Sequence, residues 1–105
     1  MKEKKFILNI GLNDKDTKVQ KIDTIEAYKI VENTLLGKEI KGYTIYQGQG
    51  LYKHDNGQIT RENTLIVELM FVDEKQVDKV IQTLKLTLNQ ESILKQVQEI
   101  TISFE

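Results

Sequence analysis

Tyr43-Thr44-Ile45-Tyr46-Gln47-Gly48-Gln49-Gly50-Leu51-Tyr52-Lys53-His54-Asp55-Asn56-Gly57-Gln58-Ile59-Thr60-Arg61-Glu62-Asn63-Thr64-Leu65-Ile66-Val67-Glu68-Leu69-Met70-Phe71-Val72 is the stretch whose reading decides the fold. Two β-rich segments flank Asp55-Asn56-Gly57-Gln58. Asn-Gly in that setting is the strongest short-range hairpin signal, because a type I′ turn requires φ > 0 at both central positions. A two-residue Asn56-Gly57 loop pairs Asp55 with Gln58, His54 with Ile59, Tyr52 with Arg61, Gly48 with Leu65 and Tyr46 with Val67. Strand side chains alternate, so the register assigns faces. One face then carries Tyr46, Gly48, Gly50 and Tyr52 beside Leu65, Val67, Leu69 and Phe71, and is expected to lie under helices. The other carries Tyr43, Ile45, Gln47, Gln49 and Leu51 beside Thr64, Ile66, Glu68 and Met70.

Working outward, Phe6-Ile7-Leu8-Asn9-Ile10 alternates as a strand, with Phe6, Leu8 and Ile10 on one side. Residues 13–20 are polar and loop-like. Asp23 with Glu26 forms a capping pattern. Ile22, Ile25, Tyr28, Val31 and Leu35 follow at helical spacing, and Gly37 stands at the helix end. Asp73 with Gln76 opens a second helix whose stripe is Val77, Val80, Ile81, Leu84 and Leu88. Asn89-Gln90-Glu91-Ser92 ends it, and a last strand is expected with Ile100, Ile102 and Phe104 inward. The order strand, helix, strand, strand, helix, strand, with right-handed crossovers, puts both helices on one face of a four-stranded antiparallel sheet. The expectation is a single α+β domain over residues 1–105, a ferredoxin-like βαββαβ sandwich.

Composition narrows the chemistry. A chain of 105 residues buries about two-thirds of its unfolded surface as one domain. Cysteine and proline are absent, so disulfides and thiolate chemistry are excluded. The net charge of −1 gives no electrostatic reason to expect nucleic acid or membrane as partner. The charged N-terminus precedes an apolar run, Phe6 to Ile10, too short for a signal segment, which leads to a cytoplasmic expectation. Arg61 is the one arginine, and therefore the one side chain able to grip a carboxylate or phosphate through two parallel hydrogen bonds.

Candidate sites follow from the faces. Tyr43, Ile45, Ile66 and Met70 are too many large apolar groups for a solvated surface. With Glu68 among them, and Ile7 adjoining, they form the expected interface of a homodimer or higher homo-oligomer, sheet against sheet. Glu68 there either titrates upward through burial or pairs with a lysine at the rim. Tyr52 opposite Arg61 is placed to stack on the guanidinium. Gly48 and Gly50 fit a close helix approach or a bulge better than a phosphate cradle, because Gly-Gln-Gly precedes no helix. His54 is the sole histidine and adjoins a turn. No catalytic residue, metal site or cofactor is assigned, since neither metal-ligand spacing nor a nucleophile elbow around Ser92 or Ser103 is present.

Several landmarks together resemble the small bacterial family known as domain of unknown function 3574. They are Gly11-Leu12, Gly42-Tyr43-Thr44, Gly50-Leu51-Tyr52, the Asn56-Gly57 turn, Arg61-Glu62, Gln90-Glu91-Ser92-Ile93-Leu94 and Ser103-Phe104. Tyr52 stands where that family has tryptophan, and Lys41-Gly42 replaces its Pro-Asp-Gly. The resemblance implies a ferredoxin-like fold and no established activity. It also points to Tyr52, Arg61, Glu62, Gln90 and Ser92 as one polar, ligand-binding cluster, with Gln90-Glu91-Ser92 alternatively capping the second helix.

Three functions are compatible with these features. The first is a non-catalytic regulatory module, sensing a small molecule or docking on a protein as a homo-oligomer. The second is a dimeric α+β-barrel-type enzyme, with a tyrosine and Arg61 or Glu62 polarising a small substrate in a cavity between sheet and helices. The third is a mobile-element protein that binds a host protein through the open sheet face or an edge strand. The missing catalytic constellation favours the first.

Overall fold

A computed structural model describes all 105 residues. The elements are β1 (Lys2–Gly11), α1 (Thr24–Gly37), β2 (Tyr43–Lys53), β3 (Ile59–Met70), α2 (Glu74–Thr87) and β4 (Leu94–Thr101). The sheet is antiparallel with spatial order β2-β3-β1-β4, and both helices cover one face. This is the ferredoxin-like βαββαβ sandwich that the order of elements implies.

The core forms where three alternating or periodic patterns meet. Phe6, Leu8 and Ile10 from β1 and Leu65, Val67 and Leu69 from β3 point to the helices and are buried. α2 contributes Val77, Val80, Ile81 and Leu84, with Leu88 just beyond it. At its start the Asp73 amide donates to Gln76 Oε1 at 3.0 Å, so the Asp73–Gln76 pair does cap the helix. α1 is rotated from the expected stripe. Ala27, Val31 and Leu35 are buried, while Ile25 is 67% and Tyr28 36% exposed. The i, i+4, i+8 row wins because small Ala27 lets the helix lie close to the sheet. Gly37 is the last helical residue rather than the residue after it.

The hairpin turns differently from the two-residue expectation, and the difference has consequences. The His54 amide donates to Gln58 O at 2.8 Å, and the Gly57 amide to His54 O at 2.9 Å. Only Gly57 takes a positive φ, of 88°. The loop is therefore Asp55-Asn56-Gly57, a three-residue connection with glycine in the left-handed position, and not a type I′ turn. Asn56 Oδ1 stabilises it by accepting from the Gln58 amide at 2.9 Å. The extra loop residue slips β2 by one: Tyr43 pairs with Leu69, Ile45 with Val67, Tyr46 with Ile66 and Tyr52 with Thr60.

A one-residue slip turns every β2 side chain over. Tyr43 and Ile45 lie on the helix side, packed against the core. Tyr46, Gly48, Gly50 and Tyr52 lie on the open side, beside Ile66, Thr64, Glu62 and Thr60. No helix approaches Gly48 and Gly50. Phe71, expected in the core, has φ +59° past the end of β3 and is 54% exposed, stacked on Phe104 with ring centroids 6.1 Å apart.

The C-terminal strand also corrects the expectation. β4 ends at Thr101, and Ile100 sits opposite Glu3 on the open face because Val97 opposite Phe6 takes the helix side. Ile102 and Phe104 follow the strand, and Phe104 is 83% exposed.

Candidate functional site

The β2–β3 hairpin outruns its neighbour. β1 stops pairing at Gly11 opposite Thr64, while β2 and β3 remain paired out to Lys53 and Ile59. The projecting arm forms one wall of a cleft of about 750 Å³ on the open side of the sheet. Tyr52, His54 and Thr60 line it from the arm, Asn9, Gly11, Glu62 and Thr64 from the sheet, Gln90 and Ser92 from the α2–β4 connection, and Leu94 from the start of β4.

Four of the five residues marked out in the sequence as a ligand cluster, Tyr52, Glu62, Gln90 and Ser92, line this one cleft. Arg61 does not. It pairs with Leu51 on the opposite side of the arm, so the expected Tyr52–Arg61 stack is absent. Tyr52 meets His54 edge-on instead, with ring centroids 4.8 Å apart. His54 Nε2 lies 2.7 Å from Thr60 Oγ1, an interaction between exposed groups.

Glu62 is held by its backbone surroundings. Its Oε2 accepts from the Asn13 amide at 2.9 Å. Its carboxyl lies over Gly11, where a Cβ would stand 2.4 Å from Glu62 Cδ. Glycine at position 11 is thus the space the carboxylate occupies.

Gln90 has a structural task. It is 8% exposed, and its Nε2 donates to Asn13 O at 2.7 Å and to Leu88 O at 3.3 Å. It latches the α2–β4 connection onto the β1–α1 loop. Asp14 completes the latch from the other side. Its carboxylate accepts from Asn89 Nδ2 at 2.8 Å and from the Thr17 and Asp16 amides at 3.0 Å each. Asn89, whose φ is 49°, also donates from Nδ2 to Asp16 Oδ2 at 2.9 Å. Composition alone left residues 13–20 a featureless polar loop. The Asp14-x-x-Thr17 spacing, an Asx-turn signature, was the available signal.

The Asn89 hydrogen bond, more than any other contact, lowers the Asp14 pKa from 3.8 to about 2, aided by the Thr17 amide. A carboxylate depressed in the folded state stabilises fully above its ordinary pKa, and that contribution fades as pH falls through the folded value. The latch is therefore expected to weaken between about pH 4 and pH 2. Melting curves of the wild type and Asp14→Asn check this. The wild type should melt higher at neutral pH, and the gap should close below pH 4; a gap unchanged down to pH 2 would contradict it.

The five expected interface residues are divided by the register. Ile66, Glu68 and Met70 are on the open face, with Ile7 and Ile100 nearby; Tyr43 and Ile45 are on the other. Tyr43 OH donates to Glu32 at 2.8 Å, and burial followed by this bond raises its pKa to about 12. Of the two readings of Glu68, the lysine pair is what forms: Lys5 Nζ lies 2.8 Å from Oε1. Tyr46 OH donates to Oε2 at 2.9 Å. Lys5 first, then Tyr46, lower the Glu68 pKa, opposite to the desolvation alternative.

No group of three His, Cys, Asp or Glu residues is arranged to hold a metal ion. No helix is long and apolar enough to cross a membrane.

The same fold occurs in solved structures of low sequence identity. A phage SAM lyase in complex with S-methyl-5′-thioadenosine is similar at TM-score 0.67 and 20% identity, over 92% of this chain and 81% of that one. A nitrogen regulatory PII-like protein from Thiomonas intermedia, bound to ADP, AMP and bicarbonate, is similar at TM-score 0.54 and 16% identity, over 98% of this chain and 97% of that one. The GlnK–ATP complex of B. subtilis is similar at TM-score 0.58 and 18% identity, over 92% and 82%. No curated protein matches the sequence. At the level of sequence, residues 5–104 match the family described as Protein of unknown function (DUF3574), and the chain belongs to that family.

Proposed function

We propose that this protein is a small-molecule-sensing regulatory module, acting as a homo-oligomer, that takes an adenosine-bearing ligand in the open-face cleft. The cleft carries the reading. Its volume of about 750 Å³ suits a small molecule, and three separate elements converge on it. The interior between sheet and helices is instead filled by sixteen buried apolar side chains. A barrel-type enzyme would need its cavity there. His54 reaches a hydroxyl, but no third group hydrogen-bonds its other ring nitrogen, as an activated nucleophile would require. Support for the ligand class comes from the similar structures, whose bound thioadenosine, ADP, AMP and ATP share an adenosine. Support for self-association comes from Ile7, Ile66, Met70 and Ile100, gathered on the uncovered face around the Lys5–Glu68 pair.

Melting the protein with thioadenosine, SAM, AMP, ADP and ATP, each at about 1 mM, tests the reading; a ligand in large excess over its dissociation constant raises the midpoint by several degrees. Light scattering should give the mass of a dimer or larger species. A chain that ignores all five compounds is not an adenosine sensor, and one that stays monomeric at high concentration is not a homo-oligomer.

A second reading, in which the cleft turns its ligand over, is favoured by the likeness to the phage lyase at TM-score 0.67. Release of S-methyl-5′-thioadenosine from SAM by the purified protein, the bond from sulfur to the aminobutyrate chain breaking and that chain leaving as the second product, would select it.

A further inference from the structure

Glu62 is half-buried yet joins none of the ion pairs of the fold, which are Lys5–Glu68, Lys95–Glu74 and Lys95–Asp78. Its Oε2 is held by the Asn13 amide, and Oε1 accepts no hydrogen bond from the chain. Tyr52 stands on the same face of the arm, and Gly50 opposite Glu62 puts no side chain between them. A free carboxylate oxygen and an aromatic ring both present negative potential to the cleft. The Glu62 charge thus has no cationic partner within the fold. A cationic ligand centre would supply that partner.

We propose that the cleft recognises its ligand through a positively charged centre, a sulfonium or a substituted ammonium, set between Glu62 and Tyr52. This rests on the adenosine reading above and narrows it to cationic members of that class. Lys15 and Lys18 at the rim then face the opposite, anionic end of the ligand.

Calorimetric titration with S-adenosylmethionine and S-adenosylhomocysteine is the direct test, because the two differ by one methyl group and the charge on sulfur. If thioadenosine is released, the uncleavable amine analogue sinefungin replaces the first. The charged ligand should bind about tenfold tighter to the wild type, and Glu62→Gln should remove most of that preference while changing the neutral ligand's affinity by less than about twofold. Gly11→Ala, which displaces the carboxylate instead of neutralising it, should give the same loss of preference. Equal affinities in the wild type, or a Glu62→Gln loss shared by both ligands, overturns the proposal and leaves the adenosine reading standing. If neither ligand binds, the adenosine reading fails. Trimethylsulfonium, titrated by NMR, then decides the cation site alone: shifts at Glu62 and Tyr52 that vanish in Glu62→Gln support it, and their absence overturns it.

Discussion

Leu8→Ala should lower the stability of this protein by about 3–4 kcal/mol, enough to drop the melting midpoint by roughly 15 °C in a domain this small. Leu8 is fully buried, between Val67 on β3 and Lys95 on β4, with the helices above it. Truncation loses the transfer free energy of the side chain, and a sheet fixed by hydrogen bonds on both sides cannot collapse to fill the cavity. The neighbouring Ile7 supplies the control. It faces the open side, and Ile7→Ala should cost less than about 1.5 kcal/mol in the isolated chain. If a second copy covers that face, Ile7→Ala instead weakens association at nearly unchanged monomer stability. Chemical denaturation of both variants at two protein concentrations separates the effects. Comparable losses at Leu8 and Ile7, independent of concentration, would contradict the assignment of faces.

How far the fold could be read without coordinates depended on how decisively each segment was patterned. α2 has a continuous apolar stripe, with Leu86 alone of its large apolar residues off it, and a capping pair at its start, so its limits and its buried face were both legible. β1 and β3 alternate with large aliphatic residues on one side, and their faces are as expected up to Met70, with Phe71 beyond the strand end turned out of the core. β2 is an edge strand with tyrosines on each side, Tyr43 on one and Tyr46 with Tyr52 on the other. Its pattern could not arbitrate between registers, and the decision passed to the turn. There Asp55-Asn56-Gly57 satisfies two loop lengths, because glycine can occupy the left-handed position in either. A single loop residue then moved Tyr43 and Ile45 beneath the helices and Tyr46 and Tyr52 out of them.

The candidate site was legible to a different degree, for a different reason. The motif likeness brought out Tyr52, Glu62, Gln90 and Ser92, which converge, but local sequence carries no information on which pairs of loops meet in space. Asn13 and Asp14 enter the cleft and its latch through contacts with residues 49 to 77 positions away. Arg61 was included as the neighbour of Glu62, and strand alternation puts neighbours on opposite faces.

Gln90→Glu should be the most damaging isosteric change in the cleft, costing about 3 kcal/mol at neutral pH. The side chain keeps its length, so packing around it is preserved and the effect isolates one proton donor. In the native protein the amide nitrogen gives both its hydrogens to carbonyls, Asn13 O and Leu88 O. A carboxylate placed there meets two acceptors at close range with no donor between them, and all three groups lose their partner. Burial and those facing carbonyls raise the pKa of the introduced group in the folded state. The penalty is therefore full well above that raised pKa and falls as the carboxyl protonates, since a carboxylic acid can again donate to Asn13 O. Stability of the variant relative to the wild type should recover in part near pH 5, above the range in which the Asp14 latch fails. Denaturation at pH 7.5 and pH 5 measures this directly. If Gln90 served only as a ligand contact, the substitution would spare stability at both pH values and alter binding alone; a pH-dependent loss of stability assigns it instead to the latch that shapes the cleft.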